Sequence, residues 1–249
     1  MNDDLGHLVE VRHPAQRVVS LVPSLTEAIA ATRPGALVGA TDWCTHPVDL
    51  DVTRVRGTKN PDRGAIQALA PDVVIANREE NRELDITRLR DAGVTVWVTV
   101  IETVDEAFAS MRRMFVDALG WDVPAWLVEA ERVWAEPPRD DGRRVAIPIW
   151  RDPWMVVGSR TFTGDLVERL GLVNAFGDAA DRYPHVELAD IDAAADLVLL
   201  PDEPYVFTAD DGPEAFASTP TVLVSGRSLT WYGPSMLTAR DELAAHLLR

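Results

Sequence analysis

The chain builds the same short piece twice. Residues 68–81, ALAPDVVIANREEN, end a helix-like run, cross an apolar strand and stop on a polar, acidic loop, and residues 193–205, AAADLVLLPDEPY, follow the same course. A short apolar run bounded by turn-forming residues marks a strand buried on both faces, and such a strand needs a covering layer on each side. Two copies of that unit in 249 residues point to two lobes, because domains commonly run about 100 to 200 residues.

The segments around the two copies alternate in the same way. RVVSLV (17–22) reads as a strand feeding the helix SLTEAIAAT, with Ser24 as N-cap and Glu27 three residues on in a capping-box pattern. ALVGAT (36–41) is a strand, DRGAIQALA a short helix, DVVIA (72–76) a buried strand, ELDITRLRDAG a helix closed by Gly93, and VTVWVTVI (94–101) a strand. Residues 104–119 put Phe108, Met111, Phe115 and Leu119 on one helical stripe, which Gly120 stops. A further helix is expected from about Asp122, with Pro124 tolerated in its first turn, to about Glu136, after which EPPRDDGRR breaks helicity.

From Arg144 the pattern restarts. VAIPIW (145–150) reads as a strand, TGDLVERLG as a helix closed by Gly171, ELADIDAAA as a short helix, DLVLL (196–200) as a strand, GPEAFAS as a helix, TVLV (221–224) as a strand, and the chain from about Ser235 as a final amphipathic helix. Strands that alternate with helices and lack tight hairpin turns imply parallel sheets with covered faces. The expected fold is therefore α/β, with two similar lobes of mainly parallel sheet and a ligand cleft between them. The N-terminal lobe is expected over 1–121, a rigid connecting helix over 122–137 and the C-terminal lobe over 138–249. A connector of roughly thirteen helical residues would span about 20 Å and, being stiff, would allow only small closure on binding.

Composition removes several functions. A net charge of −16 argues against nucleic acid, which needs clustered cations. No apolar run reaches the roughly 18 residues of a membrane span, so no transmembrane segment is expected. The N-terminus MNDDLGHLVEVRH has acid where a secretory leader carries positive charge. As written the chain is expected in the cytoplasm; if a leader was removed or omitted, it belongs in the periplasm or at the cell surface. The single cysteine, Cys44, excludes an internal disulfide.

In parallel sheets ligands sit beyond the carboxyl ends of the strands. The loops in question carry Trp43, Trp150, Trp154, Tyr183, Tyr205, Trp231 and Tyr232, flat side chains suited to a broad planar ligand. No histidine pair has zinc-motif spacing, and His46 and His185 are only a weak alternative as metal ligands. Cys44 near His46 lacks a placed third group for nucleophilic catalysis, and GxSxG, P-loop and GxGxxG patterns are absent. An enzyme is not expected.

RVVSLVPSLTEAIAA, GATDWCTHP, ALAPDVVIANREENRELDITRL, AGVTVWV, GDLVERLGLVNAFGD, RYPHVELADIDAAADLVLL and LTWYGPS, in that order, resemble the helical-backbone metal-receptor family. These are class III periplasmic substrate-binding proteins, the ABC-transporter receptors for vitamin B12, siderophores, haem or metal ions, and the resemblance is nearest to the vitamin B12-binding members. It spans Arg17 to about Leu247. It implies cobalamin or a related corrinoid as ligand, not as a catalytic cofactor, and an ABC permease as partner. In the cobalamin-binding members the position of Trp43 is an aromatic facing the corrin and that of Tyr183 is also aromatic, whereas Asn77 stands where one has tryptophan.

The stacking or apolar contacts expected are Trp43, Tyr183, Trp154 and Trp231, and the polar ones Ser24, Thr41, Asn77, Glu102, Arg151 and Arg160. The resemblance implies one docking glutamate per lobe for the permease: Glu83 fits the first position, while Ala189 occupies the second, flanked by Glu187 and Asp190. Haem, a ferric siderophore or a metal ion is the alternative ligand for the same fold. A cytoplasmic sensor or regulatory module without transport is the alternative role.

Overall fold

In the computed structural model, which describes residues 1–138 and 141–247, the two repeated apolar strands, Val73–Asn77 and Leu197–Pro201, are buried at every position. The chain divides into two compact units. The first comprises Met1–Ile101, Asp105–Glu129 and Tyr232–Pro234. It contains β1 (Val18–Ser20), α1 (Pro23–Thr32), β2 (Leu37–Ala40), β3 (Thr53–Arg54), β4 (Arg56–Gly57), β5 (Asn60–Pro61), α2 (Arg63–Ala68), β6 (Val73–Asn77), α3 (Glu83–Asp91), β7 (Val96–Thr99) and nearly all of α4 (Val104–Arg113). Five strands form one parallel sheet in the order β3-β2-β1-β6-β7. Val19, Leu21, Val74, Ala76, Val96 and Val98 pack on one face against Ile66 of α2 and Ile86 and Leu89 of α3. That layer explains why β6 has no polar alternation: both faces are covered.

Local chemistry sets the boundaries. Helix α1 starts at Pro23, a residue whose fixed φ and missing N–H suit the first helical position. Val22 therefore occupies the cap, no side chain caps the helix, and Ser24 lies inside the first turn rather than ahead of it, which corrects the capping-box expectation. Asp62 does cap α2, accepting from the Ala65 amide at 3.0 Å. The stripe of residues 104–119 keeps its apolar face but widens into a π turn at Met114–Ala118. Leu119 N–H then reaches the Met114 carbonyl at 2.9 Å, and Gly120 ends the run at φ +63°.

The chain passes between the units inside α5 (Ala125–Trp134), between Glu129 and Ala130. The second unit takes Glu102–Val104, Ala130–Trp231 and Ser235–Arg249. Of the helix-breaking run 136–144, residues 139 and 140 lie outside the described residues, as do residues 248 and 249 of the C-terminal segment.

The second unit contains β8 (Arg144–Ala146), β9 (Pro148–Trp150), β10 (Met155–Val156), α6 (Phe162–Arg169), β11 (Val173–Asn174), α7 (Leu188–Ala194), β12 (Leu197–Pro201), β13 (Thr221–Val224), α8 (Gly226–Thr230) and α9 (Met236–Leu247). Its parallel sheet has the order β11-β8-β12-β13. VAIPIW is not one strand: β8 stays in the sheet, and from Pro148, which has no N–H to donate, the chain leaves to pair with β10. GPEAFAS gives only a 3₁₀ turn at Pro213–Ala215, because Gly212 sits at φ +126° and Phe216 is extended and packs on the core. Two antiparallel pairs, β4–β5 and β9–β10, correct the expectation of no hairpins; ladders of two or three residues are too short to show a period.

The acidic start of the chain has a structural role. Asp3 is buried, pairs with Arg90 at 2.6 Å and accepts the amides of Leu5 and His7 at 3.0 and 2.9 Å. Asp4 accepts from the Val100 amide at 3.0 Å and binds Ser110 and Arg113. Asp3→Ala leaves Arg90 without its buried partner and is expected to lower the unfolding free energy by about 3 kcal/mol in chemical denaturation.

Candidate ligand-binding loops

In a parallel sheet, the carboxyl ends of the two strands where the chain reverses its direction of growth leave a crevice. In the first unit the chain grows from β1 through β2 to β3, then returns to β6 and β7 on the other side, so the crevice lies beyond β1 and β6. Two asparagines shape it. Asn81 donates from Nδ2 to the carbonyls of Leu21 at 3.2 Å and Thr58 at 3.0 Å, and accepts the Asn77 amide at 2.9 Å. Asn77 donates to Thr99 Oγ1 at 3.1 Å and accepts the amides of Glu79 at 2.8 Å and Glu80 at 3.3 Å. Asn77 is thus buried and committed to holding its own loop.

Glu80 lies beside that loop, within the field of Lys59. Lys59 Nζ donates to the Glu79 carbonyl. Burial pushes the Glu80 carboxyl above its ordinary value, the Lys59 cation opposes this, and the Glu79 charge adds to it.

The loop after β2 is built from backbone carbonyls gathered by one cation. Arg54 donates to the carbonyls of Thr41 at 2.9 Å, Cys44 at 2.8 Å and Leu50 at 3.2 Å. Beneath it the buried Cys44 thiol lies 3.0 Å from Thr26 Oγ1 and 3.1 Å from Thr41 Oγ1, so Thr41 faces the interior. Burial raises the Cys44 pKa, against the lowering effect of those hydroxyls and of Arg54, which keeps the thiol protonated at neutral pH and unsuited to nucleophilic chemistry. Trp43, between these anchors, is 66 % exposed. His46 Nδ1 lies 3.1 Å from Thr45 Oγ1.

In the second unit the order reverses between β8 and β12. Beyond β8, Trp150 is exposed and meets Tyr205, beyond β12, edge-on at 5.6 Å. Arg151 does not stand free for a ligand: it binds Asp211 and Glu214, the latter at 2.5 Å, and lies over Trp154 at 5.5 Å. Glu214, then Asp211, raise its pKa further. Trp154 is buried, stacked on Phe207 at 6.0 Å and edge-on to Phe216 at 5.5 Å, a member of the core rather than an open face.

The loop with Tyr183 and His185 is tied at both ends. Arg182 pairs with Glu102, and its carbonyl accepts the Gly158 amide at 2.8 Å. A Cβ at Gly158 would lie 2.4 Å from the Asp181 carbonyl oxygen, so only glycine admits this approach. Tyr183 is half-buried and His185 exposed. Arg160, at φ +52°, is exposed and donates to the Ala180 carbonyl at 3.1 Å. Ser24 and Trp231 are buried. Glu83 opens α3 and Glu187 precedes α7, both exposed.

Among the described residues no group of three or more His, Cys, Asp or Glu could hold a metal ion, and no helix is long and apolar enough to cross a membrane. Sequence patterns had not marked Arg54, Asn81 or Gly158, whose work is done on distant backbone atoms; the one available signal for Asn81 and Gly158 was their residue type in a strand-end loop.

Three comparisons bear on this arrangement, and no family model matches the chain. The vitamin B12-binding protein of Pectobacterium carotovorum subsp. carotovorum strain PC1 is 23% identical over 257 aligned positions, covering 93% of this chain and 88% of that protein. The periplasmic vitamin B12 binding protein BtuF of Vibrio cholerae superposes with a TM-score of 0.75 at 19% identity, covering 94% of this chain and 97% of that one. The periplasmic heme-binding protein RhuT from Roseiflexus sp. RS-1, in apo form, superposes with a TM-score of 0.78 at 21% identity, covering 93% and 97%.

Glu80 supplies a test of the loop's electrostatics. A carboxyl whose folded pKa is raised favours folding below its unfolded value near 4.5, and that contribution is lost as pH rises through the folded value. Glu80→Gln should therefore be more stable than wild type at pH 7, with the difference shrinking as pH falls through the raised folded value and gone below about pH 4.5, as followed by thermal melts across pH.

Proposed function

We propose that this chain, a class III substrate-binding protein by its two-lobed α/β fold and its likeness to vitamin B12-binding proteins, takes cobalamin or a related corrinoid on the strand-end loops of its units. The observation that carries this is a likeness to a named vitamin B12-binding protein along 93% of the chain. The relatives are binding proteins, and no chemistry on the ligand is proposed.

Trp43 and Tyr183 offer the stacking surfaces, Arg160 a polar edge contact and Trp231 an apolar wall, while Ser24, buried, and Glu102, paired with Arg182, act through the loops they hold. Thr41, Asn77, Arg151 and Trp154 act one step back, fixing the loops that present those groups. Because Arg54, Asn81 and the Arg182–Glu102 pair already fix the loops, binding spends little free energy on ordering them. Glu83 and Glu187, both exposed at helix starts, are the docking carboxylates for an ABC permease. The similar structures are of proteins named periplasmic, which favours a location outside the cytoplasm over the cytoplasmic alternative.

The second reading is haem. Its support is that the heme-binding RhuT superposes at least as well as BtuF, with TM-scores of 0.78 and 0.75. Titration of the full chain with cyanocobalamin and with haemin, followed by tryptophan fluorescence and calorimetry, separates the two. Saturable one-site cobalamin binding, weakened about tenfold in Trp43→Ala for the loss of one stacking contact, is expected. Saturation by haemin alone would transfer the assignment to haem, and no binding of either would end the receptor reading.

A further inference from the structure

We propose that Gly57 is a positioning residue for Trp43: it sets where the exposed indole stands by offering bare backbone for the indole edge to lie against. The inference rests on the reading of Trp43 as a stacking contact for the ligand. It adds a residue that touches no ligand and acts through one that does.

Arg54 fixes the backbone of the loop after β2 through its carbonyls, which leaves the rotation of the Trp43 side chain open. That side chain is 66 % exposed, and an indole presents a constant stacking face only where a neighbour selects its rotamer. The β4–β5 hairpin supplies the neighbour. A Cβ built on Gly57 would lie 3.3 Å from Trp43 Nε1, inside the roughly 3.5 to 4.0 Å of an ordinary carbon contact. The indole edge therefore occupies the place a side chain would take. Backbone freedom is not what calls for glycine at this position, because Gly57 lies outside the left-handed region.

The place above Gly57 is filled from two directions. Asn60 stands opposite Gly57 in the ladder, and residues directly opposite share a face, so its Oδ1 would lie 2.5 Å from the added Cβ. Asn60 is exposed and its amide can swing into solvent. The indole is one rigid plane, and a side chain at residue 57 can be accommodated on that side only by moving the whole ring.

The seat is itself fixed to both loops of the crevice in the first unit. The Asp42 amide, next to Trp43, donates to the Arg56 carbonyl at 2.8 Å. On the other side Asn81 Nδ2 donates to the Thr58 carbonyl at 3.0 Å, and Lys59 Nζ donates to the Glu79 carbonyl. Arg56 sits at φ +66°, uncommon for a residue with a side chain, and the bonds on either side of it hold it there. An indole resting on this hairpin takes its position from the loop after β6 as well as from its own loop. A flat conjugated ligand then meets a ring whose plane is already set, and less side-chain freedom is lost on binding.

The test uses the full chain and Gly57→Val, since valine suits a strand; far-UV circular dichroism and melting temperature establish that the variant folds. Labelling with 5-fluorotryptophan gives a reading without ligand. The Trp43 fluorine resonance, assigned by its loss in Trp43→Phe, should move in Gly57→Val while the other tryptophan resonances keep their places. In titrations with cyanocobalamin and with haemin, Gly57→Val should bind whichever ligand wild type takes about three- to tenfold more weakly, the ceiling being loss of the Trp43 contact itself. In a Trp43→Ala background the same substitution should cost nothing further, and adding Asn60→Ala to Gly57→Val should not restore affinity. An unmoved Trp43 resonance, an equal loss in both backgrounds, or recovery with Asn60→Ala overturns the inference, while binding by wild type leaves the receptor reading standing. No binding of either ligand by folded wild type overturns both.

Discussion

A strand with no polar face cannot sit at a surface, and the rest of this protein follows from having such strands in both halves of the chain. β6 and β12 are buried at all their positions, which obliges helices to lie over both faces of each sheet and the strands to run parallel. Parallel strands all end on the same side. Their following loops are gathered into one cluster in each unit, and each cluster displays what those loops carry.

The clusters are held by polar groups acting on backbone atoms. Asn77 and Asn81 close the crevice of the first unit through amides and carbonyls, and Arg54 gathers three carbonyls after β2. In the second unit Arg151 and Arg182 are committed to carboxylates of neighbouring loops. A chain with so large an excess of acid therefore spends several of its arginines internally, and the aromatic faces are left as the groups the loops present.

This division explains what could be seen in the sequence. Strand and helix order was legible because an apolar run such as DVVIA or DLVLL, or a stripe such as Phe108–Met111–Phe115, is a local property of the chain. The strand-end loops were legible for the same reason, since they follow the strands. Which residue in a loop faces out was not. Asn77 and Thr41 look like ligand contacts by type and position, yet their hydrogen bonds are satisfied by groups distant in sequence or folded beneath them. Trp154 and Trp150 are four residues apart in one loop region, and only the register of a two-strand ladder, too short to leave a periodic trace, sends one into the core and the other outward. The capping box at Ser24 failed for a local reason of another kind: Pro23 competes for the same start and wins.

The guanidinium of Arg54 has a wider consequence. It fixes the loop after β2 by binding carbonyl oxygens, which every amino acid possesses, and Cys44 anchors the underside. Trp43 and Val48 meanwhile stand 66 % and 90 % exposed on the same loop. The curve of the loop and the chemistry it displays are thus encoded by different residues. Such a loop can be rewritten at its displayed positions without being refolded, so a descendant of this chain, or an engineer, could change what the loop displays by substitutions that the scaffold does not register.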